Sequence, residues 1–221
     1  MRRAFAFFVV IIIILVIGII SYQKFYKKWE KNPAKEKNMT REIQLNGKKI
    51  AVVVAYRDFR DEEYFTPFNI LKNAGADVVT VSTSKGTAVG ADGGEAKIDM
   101  LIDDIDVKDF DAIVFVGGPG CLKYLDNEKS YKLIRESVSN NMLLASICIS
   151  PVILAKAGVL EGKKATVWSN MMDKSGVKIL KDYGALYYNQ PVVVDGKIIT
   201  ANGPGAAKEF AQTIINLLTS Q

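Results

Sequence analysis

The sequence predicts an α/β domain built on an open, mostly parallel sheet with helices on both faces. Three short runs, at 49–56, 112–116 and 142–147, consist almost entirely of apolar residues. This is the pattern of strands that are buried on both faces of a sheet. Segments with helical spacing of apolar residues lie between these runs, and such alternation is typical of a parallel sheet. With 221 residues, the chain is long enough for one such domain and an appendage.

The first half of the domain shows clear element boundaries. A helix is predicted over 61–74, because acidic residues occupy its first turn and Gly75 follows its end. A strand follows at 78–82, whereas the glycine-rich stretch 86–98 favours an irregular excursion. The sequence GGPG at 117–120 comes directly after a buried strand and predicts a tight loop there.

The second half continues the alternation and ends in a hairpin and a helix. We predict helices at 130–139, 151–157, 175–183 and 204–219 and a further strand at 164–168. Within 192–200, the pair Asp195–Gly196 favours a two-residue hairpin turn. The whole arrangement is flavodoxin-like, and ligands in such sheets lie at the carboxyl ends of the strands. The loop before Glu63, the GGPG loop and the turn at Cys148 fall at that edge.

The N-terminus carries a long apolar stretch. Residues 4–22 contain no charged side chain and would span roughly 28 Å as a helix, near the thickness of a bilayer core. We expect 1–22 to be a transmembrane anchor, with a cleaved signal peptide as the alternative, although no small-x-small cleavage site follows. Residues 23–47 are rich in lysine and predict a tether to a domain at 48–221. These lysines favour a single-pass protein of the cell membrane with its α/β domain in the cytoplasm.

Charge and cysteine content exclude several classes of function. The net charge is +5, but residues 1–40 carry eight basic and two acidic side chains, so the remainder is nearly neutral. A nucleic-acid-binding face is therefore not expected. The chain has two cysteines, Cys121 and Cys148, without a CxxC motif, and it has no histidine. We expect no metal site and no other cofactor.

Cys148 is the leading candidate for chemistry. It lies where an apolar strand gives way to a helical segment, and Ser150 and Pro151 suit the N-cap and the first helical position. A strand-to-helix turn would expose the thiol beside helix N–H groups, which favour a thiolate and lower its pKa. The alternative is a small buried hydrophobic residue.

Two further features lie at the same predicted edge. The backbone N–H groups of Gly118 and Ile149 could form an oxyanion hole, although a plain tight turn explains the glycines equally well. The spacing does not fit a dinucleotide-binding GxGxxG motif. Glu63 is a candidate acid, with an ordinary helix-dipole partner as the alternative. Cys121 is expected to be incidental.

Several separated blocks carry a resemblance to a known family. They are KIAVVVAY (49–56), Glu63 to Pro67, DAIVFVGGPG (111–120), ASICISPVILAKAGVLEGKKATVW (145–168) and PVVVDGKIITANGPGAAKEFA (191–211). Together they resemble the superfamily of PfpI-type intracellular proteases and the Parkinson-disease deglycase, which is related to class I glutamine amidotransferase domains. The resemblance implies that Cys148 is the nucleophile and Glu63 its hydrogen-bonding partner. It also implies that Gly118 and Ile149 donate to an oxyanion, and that the chain forms a homodimer or a larger homo-oligomer.

The implied pairing has an electrostatic requirement. An ionised Glu63 would disfavour a thiolate at Cys148, whereas a protonated Glu63 can donate a hydrogen bond to it. We therefore expect the pKa of Glu63 to be raised.

The chain lacks the histidine that serves as the catalytic base in this family. Ile149 occupies the position where PfpI-type proteases carry histidine, and 167–169 contains none where deglycase-like members carry theirs. Trp168 is expected to wall the pocket. Polar substitutes for the base are Asn202, Asn170 and Tyr187.

Three functions remain open from the sequence. The first is glyoxalase-like or deglycase-like chemistry on a small aldehyde or a glycated group, with Cys148 as nucleophile and Glu63 moving the proton. The second is a non-catalytic thiol redox sensor, and the third a membrane-tethered binding pseudoenzyme. A cysteine peptidase is suggested by family analogy alone, because no Cys–His pair can form.

Overall fold

The chain falls into two units, Met1–Glu42 and Ile43–Gln221. The computed structural model describes residues 18–24 and 44–220. In the first unit, residues 18–24 are helical and their side chains are exposed. Over 18–24 and 44–220, no helix combines the length and the apolar character needed to cross a bilayer. Most of the predicted anchor at 1–22 and of the tether at 23–47 lies outside the described residues.

The second unit contains strands and helices in alternation. Its strands are β1 (Lys49–Val53), β2 (Arg57–Phe59), β3 (Asp77–Ser82), β4 (Gly86–Gly90), β5 (Glu95–Ile98), β6 (Met100–Leu101), β7 (Ala112–Phe115), β8 (Leu143–Ile147), β9 (Lys164–Ala165), β10 (Leu186–Tyr187), β11 (Val192–Asp195) and β12 (Ile198–Ala201). Its helices are α1 (Asp61–Asn73), α2 (Cys121–Tyr124), α3 (Glu128–Ser139), α4 (Pro151–Lys156), α5 (Ser175–Asp182) and α6 (Ala207–Thr219).

The central sheet has the strand order β11-β12-β8-β7-β1-β3-β6, and only β11 runs antiparallel to its neighbour. β7 and β8 are buried along their whole length, as the apolar runs predicted. The helices α1 and α6 pack together against one face, whereas α3 and α4 pack against β8 from the other face. The predicted α/β class, with a mostly parallel sheet and helices on both faces, is confirmed.

Three local predictions were wrong. The stretch 86–98 is not irregular, because β4 and β5 form an antiparallel hairpin that joins β2 in a separate three-stranded sheet. The strand predicted over 164–168 ends at Ala165, and the loop between β11 and β12 is Gly196–Lys197 rather than Asp195–Gly196. Packing also begins before Lys48, since Leu45 is fully buried and its N–H donates to the Ala74 carbonyl oxygen at 2.8 Å.

The tip of the β4–β5 hairpin is held against the start of α1. The two carboxylate oxygens of Asp61 accept hydrogen bonds from the backbone N–H groups of Asp92 (2.8 Å) and Gly94 (2.6 Å). A Cβ atom on Gly90 would lie 2.5 Å from the Asp61 carboxyl carbon, so the close approach requires glycine there. The hairpin therefore fixes the loop that leads into α1.

Candidate active site

Cys148 lies on a sharp turn between β8 and α4, as the sequence predicts. Its φ of 68° is in the left-handed region, which costs a non-glycine residue about 1–2 kcal/mol. Two backbone hydrogen bonds of 2.8 Å hold it there, one from its N–H to the Ala201 oxygen and one from the Trp168 N–H to its own oxygen. The side chain is nearly buried, with 8% of the residue exposed. The turn thus holds the thiol at the carboxyl edge of the sheet.

Ser150 stabilises this turn in a different way from the N-cap that we predicted. Its side chain makes no capping bond to α4. The hydroxyl instead accepts from the Ile147 N–H at 3.0 Å, and it lies within donating distance of the carbonyl oxygens of Ile147 (2.7 Å) and Phe115 (2.9 Å). Ser150 therefore ties the end of β8 to β7.

The N–H groups at the start of α4 are also used within the turn. Those of Ser150, Val152 and Ile153 donate to the carbonyl oxygens three residues earlier, and Pro151 has no N–H. The N-terminus of α4 consequently offers little stabilisation to a thiolate.

Glu63 lies in the first turn of α1 and is fully buried, with 0% exposure. Neither of its carboxyl oxygens has a partner with hydrogen-bond geometry among the described residues. Gly117 lies next to both side chains. A Cβ atom on Gly117 would lie 2.5 Å from the Cys148 Cβ and 2.8 Å from Glu63 Oε2. The structure thus brings Glu63, Gly117 and Cys148 together, although they are far apart in the sequence.

The environment of Glu63 favours its protonated form. Burial raises the pKa of Glu63 from 4.5 to about 7, while the Cys148 thiol, the Arg60 guanidinium and the Gly117 N–H act in the opposite direction. The direction agrees with the raised pKa that we expected. A carboxyl group that titrates near neutral pH is suited to both giving and taking a proton.

The environment of Cys148 opposes the thiolate, contrary to the expected lowering. Burial raises the pKa of the Cys148 thiol well above its ordinary value, and the facing Glu63 carboxylate adds to the rise. The backbone N–H groups of Gly118 and Ile149 act in the opposite direction as donors to the sulfur. Over 44–220, neither of these N–H groups makes a backbone–backbone hydrogen bond. They are therefore available to an anion that forms at the sulfur.

These groups line one cavity of about 380 Å³ at the edge of the sheet. Five of its lining residues were singled out in the sequence: Glu63, Gly118, Cys148, Ile149 and Trp168. Such a volume fits a small molecule.

The three polar substitutes do not line this cavity. The backbone N–H of Asn202 donates to the Pro191 oxygen at 2.9 Å, and Asn202 is not among the described residues that line the cavity. The Asn170 side chain accepts from the N–H groups of Met172 and Asp173 within its own loop. Tyr187 lines a separate cavity beside α5.

Three polar residues of the cavity were missed by the sequence reasoning: Arg60, Asp173 and Ser175. Arg60 directly precedes α1 and lies three residues before Glu63, but no local pattern marks it as a residue of the cavity. Asp173 and Ser175 come from the loop before α5 and from its first residue, a segment that the predicted elements did not place at this edge. Among the described residues, no group of three or more Cys, Asp or Glu side chains is arranged to hold a metal ion.

The fold and the site define a class: an α/β domain whose cysteine lies on a strand-to-helix turn opposite a buried glutamate. The sequence profile of the DJ-1/PfpI family matches residues 48–217. The chain belongs to the DJ-1/PfpI family.

Relatives with assigned activities are found in this family. The chain is 31% identical to the deglycase PfpI of Pyrococcus furiosus, over 73% of this chain and 94% of the relative. It is 28% identical to the glutathione-independent glyoxalase DJR-1.2 of Caenorhabditis elegans, over 77% and 89%. An uncharacterised protein of Methanocaldococcus jannaschii is 41% identical over 82% and 87%. A solved ThiJ/PfpI domain from Brachyspira murdochii superposes with a TM-score of 0.74 and 35% identity, covering 78% of this chain and 97% of that one.

Proposed function

We propose that the domain acts on small 2-oxoaldehydes or glycated groups, with Cys148 as the nucleophile and Glu63 as the group that moves the proton. The observation that supports this most is the position of a fully buried Glu63 against Cys148, in a cavity of small-molecule size. The deglycase and glyoxalase relatives support the same general chemistry.

The proposed reaction on methylglyoxal needs only these two side chains and water. Glu63 takes the proton of the thiol, the sulfur bonds to the aldehyde carbon, and the carbonyl oxygen takes that proton to give a hemithioacetal. The carboxylate of Glu63 then removes the hydrogen of that carbon as a proton and returns it to the neighbouring carbon. The hydroxyl proton passes to the oxygen of that neighbouring carbon at the same stage, which leaves a 2-hydroxy thioester. Water hydrolyses the thioester to lactate and restores the thiol. The N–H groups of Gly118 and Ile149 stabilise negative charge beside the sulfur.

Two other functions fit the site less well. A cysteine peptidase of the usual kind needs a histidine, and the chain has none. A thiol sensor needs an accessible thiolate, whereas Cys148 is nearly buried and its pKa is raised.

We further propose that residues 4–22 anchor this domain to a membrane through the lysine-rich segment 23–47. The support is the sequence, in which 4–22 carries no charge and lysines follow it directly. The domain would act on the cytoplasmic side. The homodimer expected from the family stays a prediction.

Lactate formation from methylglyoxal tests the proposed function directly. The full chain in detergent should form lactate, and Cys148→Ser should abolish the activity. Cys121→Ser is the matched control, because Cys121 is fully buried and lies outside the wall of the cavity. Equal rates for the wild type and Cys148→Ser would overturn the proposal.

A further inference from the structure

The cavity at Cys148 contains a fixed positive charge that the reaction above does not use. Arg60 lines the cavity, and its side chain is about two thirds buried, with 35% exposed. A single guanidinium nitrogen, Nη1, contacts the Asp92 carboxylate at 3.3 Å and 3.4 Å. The other guanidinium nitrogens have no hydrogen-bond partner within 44–220. Arg60 is thus held at one end and can donate from the other.

The negative groups near Arg60 compensate its charge only in part. The Asp92 side chain is 59% exposed, so solvent screens its attraction. Asp173 lies at the rim and is exposed, and its Oδ1 accepts from the Ser175 N–H (2.8 Å) and hydroxyl (2.6 Å). Glu63 is the remaining acid, and its burial favours the neutral form.

The rest of the wall is apolar where it faces these groups. Leu122, Ile149 and Trp168 contribute apolar surface, and of the described lining residues at this site only Arg60 is a cation. A planar guanidinium binds a carboxylate through two parallel hydrogen bonds, and it stays charged at every working pH. An anionic group would therefore be oriented by Arg60 while the opposite end of a short molecule reaches the sulfur.

We propose that this cavity selects aldehydes that carry a carboxylate, with the carboxylate bound by Arg60 and the aldehyde carbon presented to Cys148. This inference rests on the proposed function and names the substrate class. Arg60 is a specificity-determining residue in this scheme. The chemical step is the addition already described: the S–C bond forms, the carbonyl π bond breaks, and the thiol proton passes through Glu63 to the oxygen.

Alkylation of Cys148 by two reagents of equal size tests the selection without any turnover. Iodoacetate carries a carboxylate and iodoacetamide does not, so the ratio of their rates measures the contribution of Arg60. In the full chain, Arg60→Gln should lower the iodoacetate-to-iodoacetamide ratio about tenfold, and Arg60→Lys should restore part of it. Intact mass and peptide mapping identify the modified cysteine.

Arg57→Gln is the matched control. Arg57 lies three residues before Arg60 and carries the same charge, but its side chain does not line the cavity. Its ratio should equal that of the wild type. An unchanged ratio in Arg60→Gln would overturn the proposal.

Glyoxylate provides a second measurement. It can form the hemithioacetal, but its neighbouring carbon is a carboxylate and cannot accept the returned proton, so it should inhibit methylglyoxal turnover competitively. Its inhibition constant should rise about tenfold in Arg60→Gln, while the KM for neutral methylglyoxal changes little. Equal inhibition of both proteins would contradict the selection yet leave the proposed function standing. If methylglyoxal is not turned over but Arg60→Gln still lowers the alkylation ratio, the proposed function is contradicted and the selection by Arg60 stands.

Discussion

The raised pKa of Glu63 affects both the stability of the fold and the proposed chemistry. A fully buried carboxyl group is costly to ionise, and burial raises its pKa to about 7 although the Cys148 thiol and the Gly117 N–H act in the opposite direction. The folded state therefore holds a proton that the unfolded chain releases near pH 4.5. The same property that lets Glu63 exchange protons at neutral pH lowers stability there.

The pH dependence of stability should show this directly. Between pH 4.5 and about 7 the folded state binds one more proton than the unfolded state, so the free energy of unfolding falls as the pH rises through this window. The size of the pKa shift corresponds to about 3 kcal/mol. Glu63→Gln should lose most of this slope in urea titrations of the full chain in detergent. Glu62→Gln, at the exposed neighbouring position, should keep it; a steep slope that survives in Glu63→Gln would contradict the assignment.

The left-handed backbone of Cys148 predicts an unusual order of stability among its variants. Both Cys148→Ala and Cys148→Gly remove the thiol, but only glycine adopts a φ of 68° without strain. Cys148→Gly should therefore be more stable than Cys148→Ala by up to about 1 kcal/mol in urea unfolding. A Cys148→Ala protein that is clearly the more stable of the two would show that the turn is not strained.

The sequence contains enough information to find some residues of the site and not others. Cys148 is recognisable because the strand, the turn and Pro151 are local signals, and Glu63 is recognisable through the family motif that ends at Pro67. Arg60 is not recognisable in this way, since its role depends on a cavity formed by segments distant in sequence. Ser150 occupies the predicted N-cap position, but its hydroxyl makes no capping bond; it bonds to β7, a partner that no local pattern reveals.

At the scale of elements, the glycine loop after β7 allows the side chains of Cys148 and Glu63 to lie close to each other. Gly117 passes between the side chains of Cys148 and Glu63, and Gly118 has a φ of 108°. A Cβ atom on Gly118 would lie 2.6 Å from the carbonyl carbon of Phe59, so this loop also packs closely on the β2 segment. The loop thus joins the start of α1 to the cysteine turn.

Gly117→Ala should disturb both packing and chemistry. The new methyl group would overlap the Cys148 Cβ and the Glu63 carboxyl, so we expect a loss of about 2 kcal/mol or more in the free energy of unfolding. Lactate formation should fall with it. Gly205→Ala is the control, because a Cβ atom there meets nothing within 4 Å, and its stability should stay within about 0.5 kcal/mol of the wild type. Equal stability of the two variants would contradict the close approach at Gly117.

Six of the seven strands of the main sheet could be predicted from the sequence, whereas the short edge strand β6 and the β4–β5 hairpin could not. Continuous apolar runs identify the strands of the central sheet, because both of its faces are covered. The hairpin shows no such run and contains Gly86, Gly90, Gly93 and Gly94. Gly90 and Gly94 are needed because the hairpin packs closely against the Asp61 side chain. These glycines therefore reflect a tertiary contact and do not indicate an irregular segment.

At the scale of the molecule, the proposal is a nearly neutral catalytic domain joined to an apolar N-terminus by a basic segment. The positive charge lies in residues 1–40. Under this arrangement the segment 23–47 would remain close to acidic lipid headgroups and the domain would act on metabolites near the membrane.

Cell fractionation tests the proposed anchor. The full chain should sediment with membranes and resist washing with high salt or carbonate, because residues 4–22 would hold it by burial of apolar surface and not by charge. Deletion of 1–22 should release the protein into the supernatant with its lactate formation intact. Release of the full chain by salt alone would contradict a membrane-spanning anchor.

The central claim is that Cys148 and Glu63 work as one ionising pair, and the pH dependence of kcat/KM for lactate formation tests it most directly. The pair should be inactive when both groups hold protons and active once the first proton is lost, whichever of the two atoms then carries the charge. For the wild type, kcat/KM should therefore rise with pH through an apparent pKa of about 7. Glu63→Gln should lack this step and be slower by a factor of about 100 or more at pH 7. A Glu63→Gln protein with the wild-type rate and the same step near pH 7 would contradict the account.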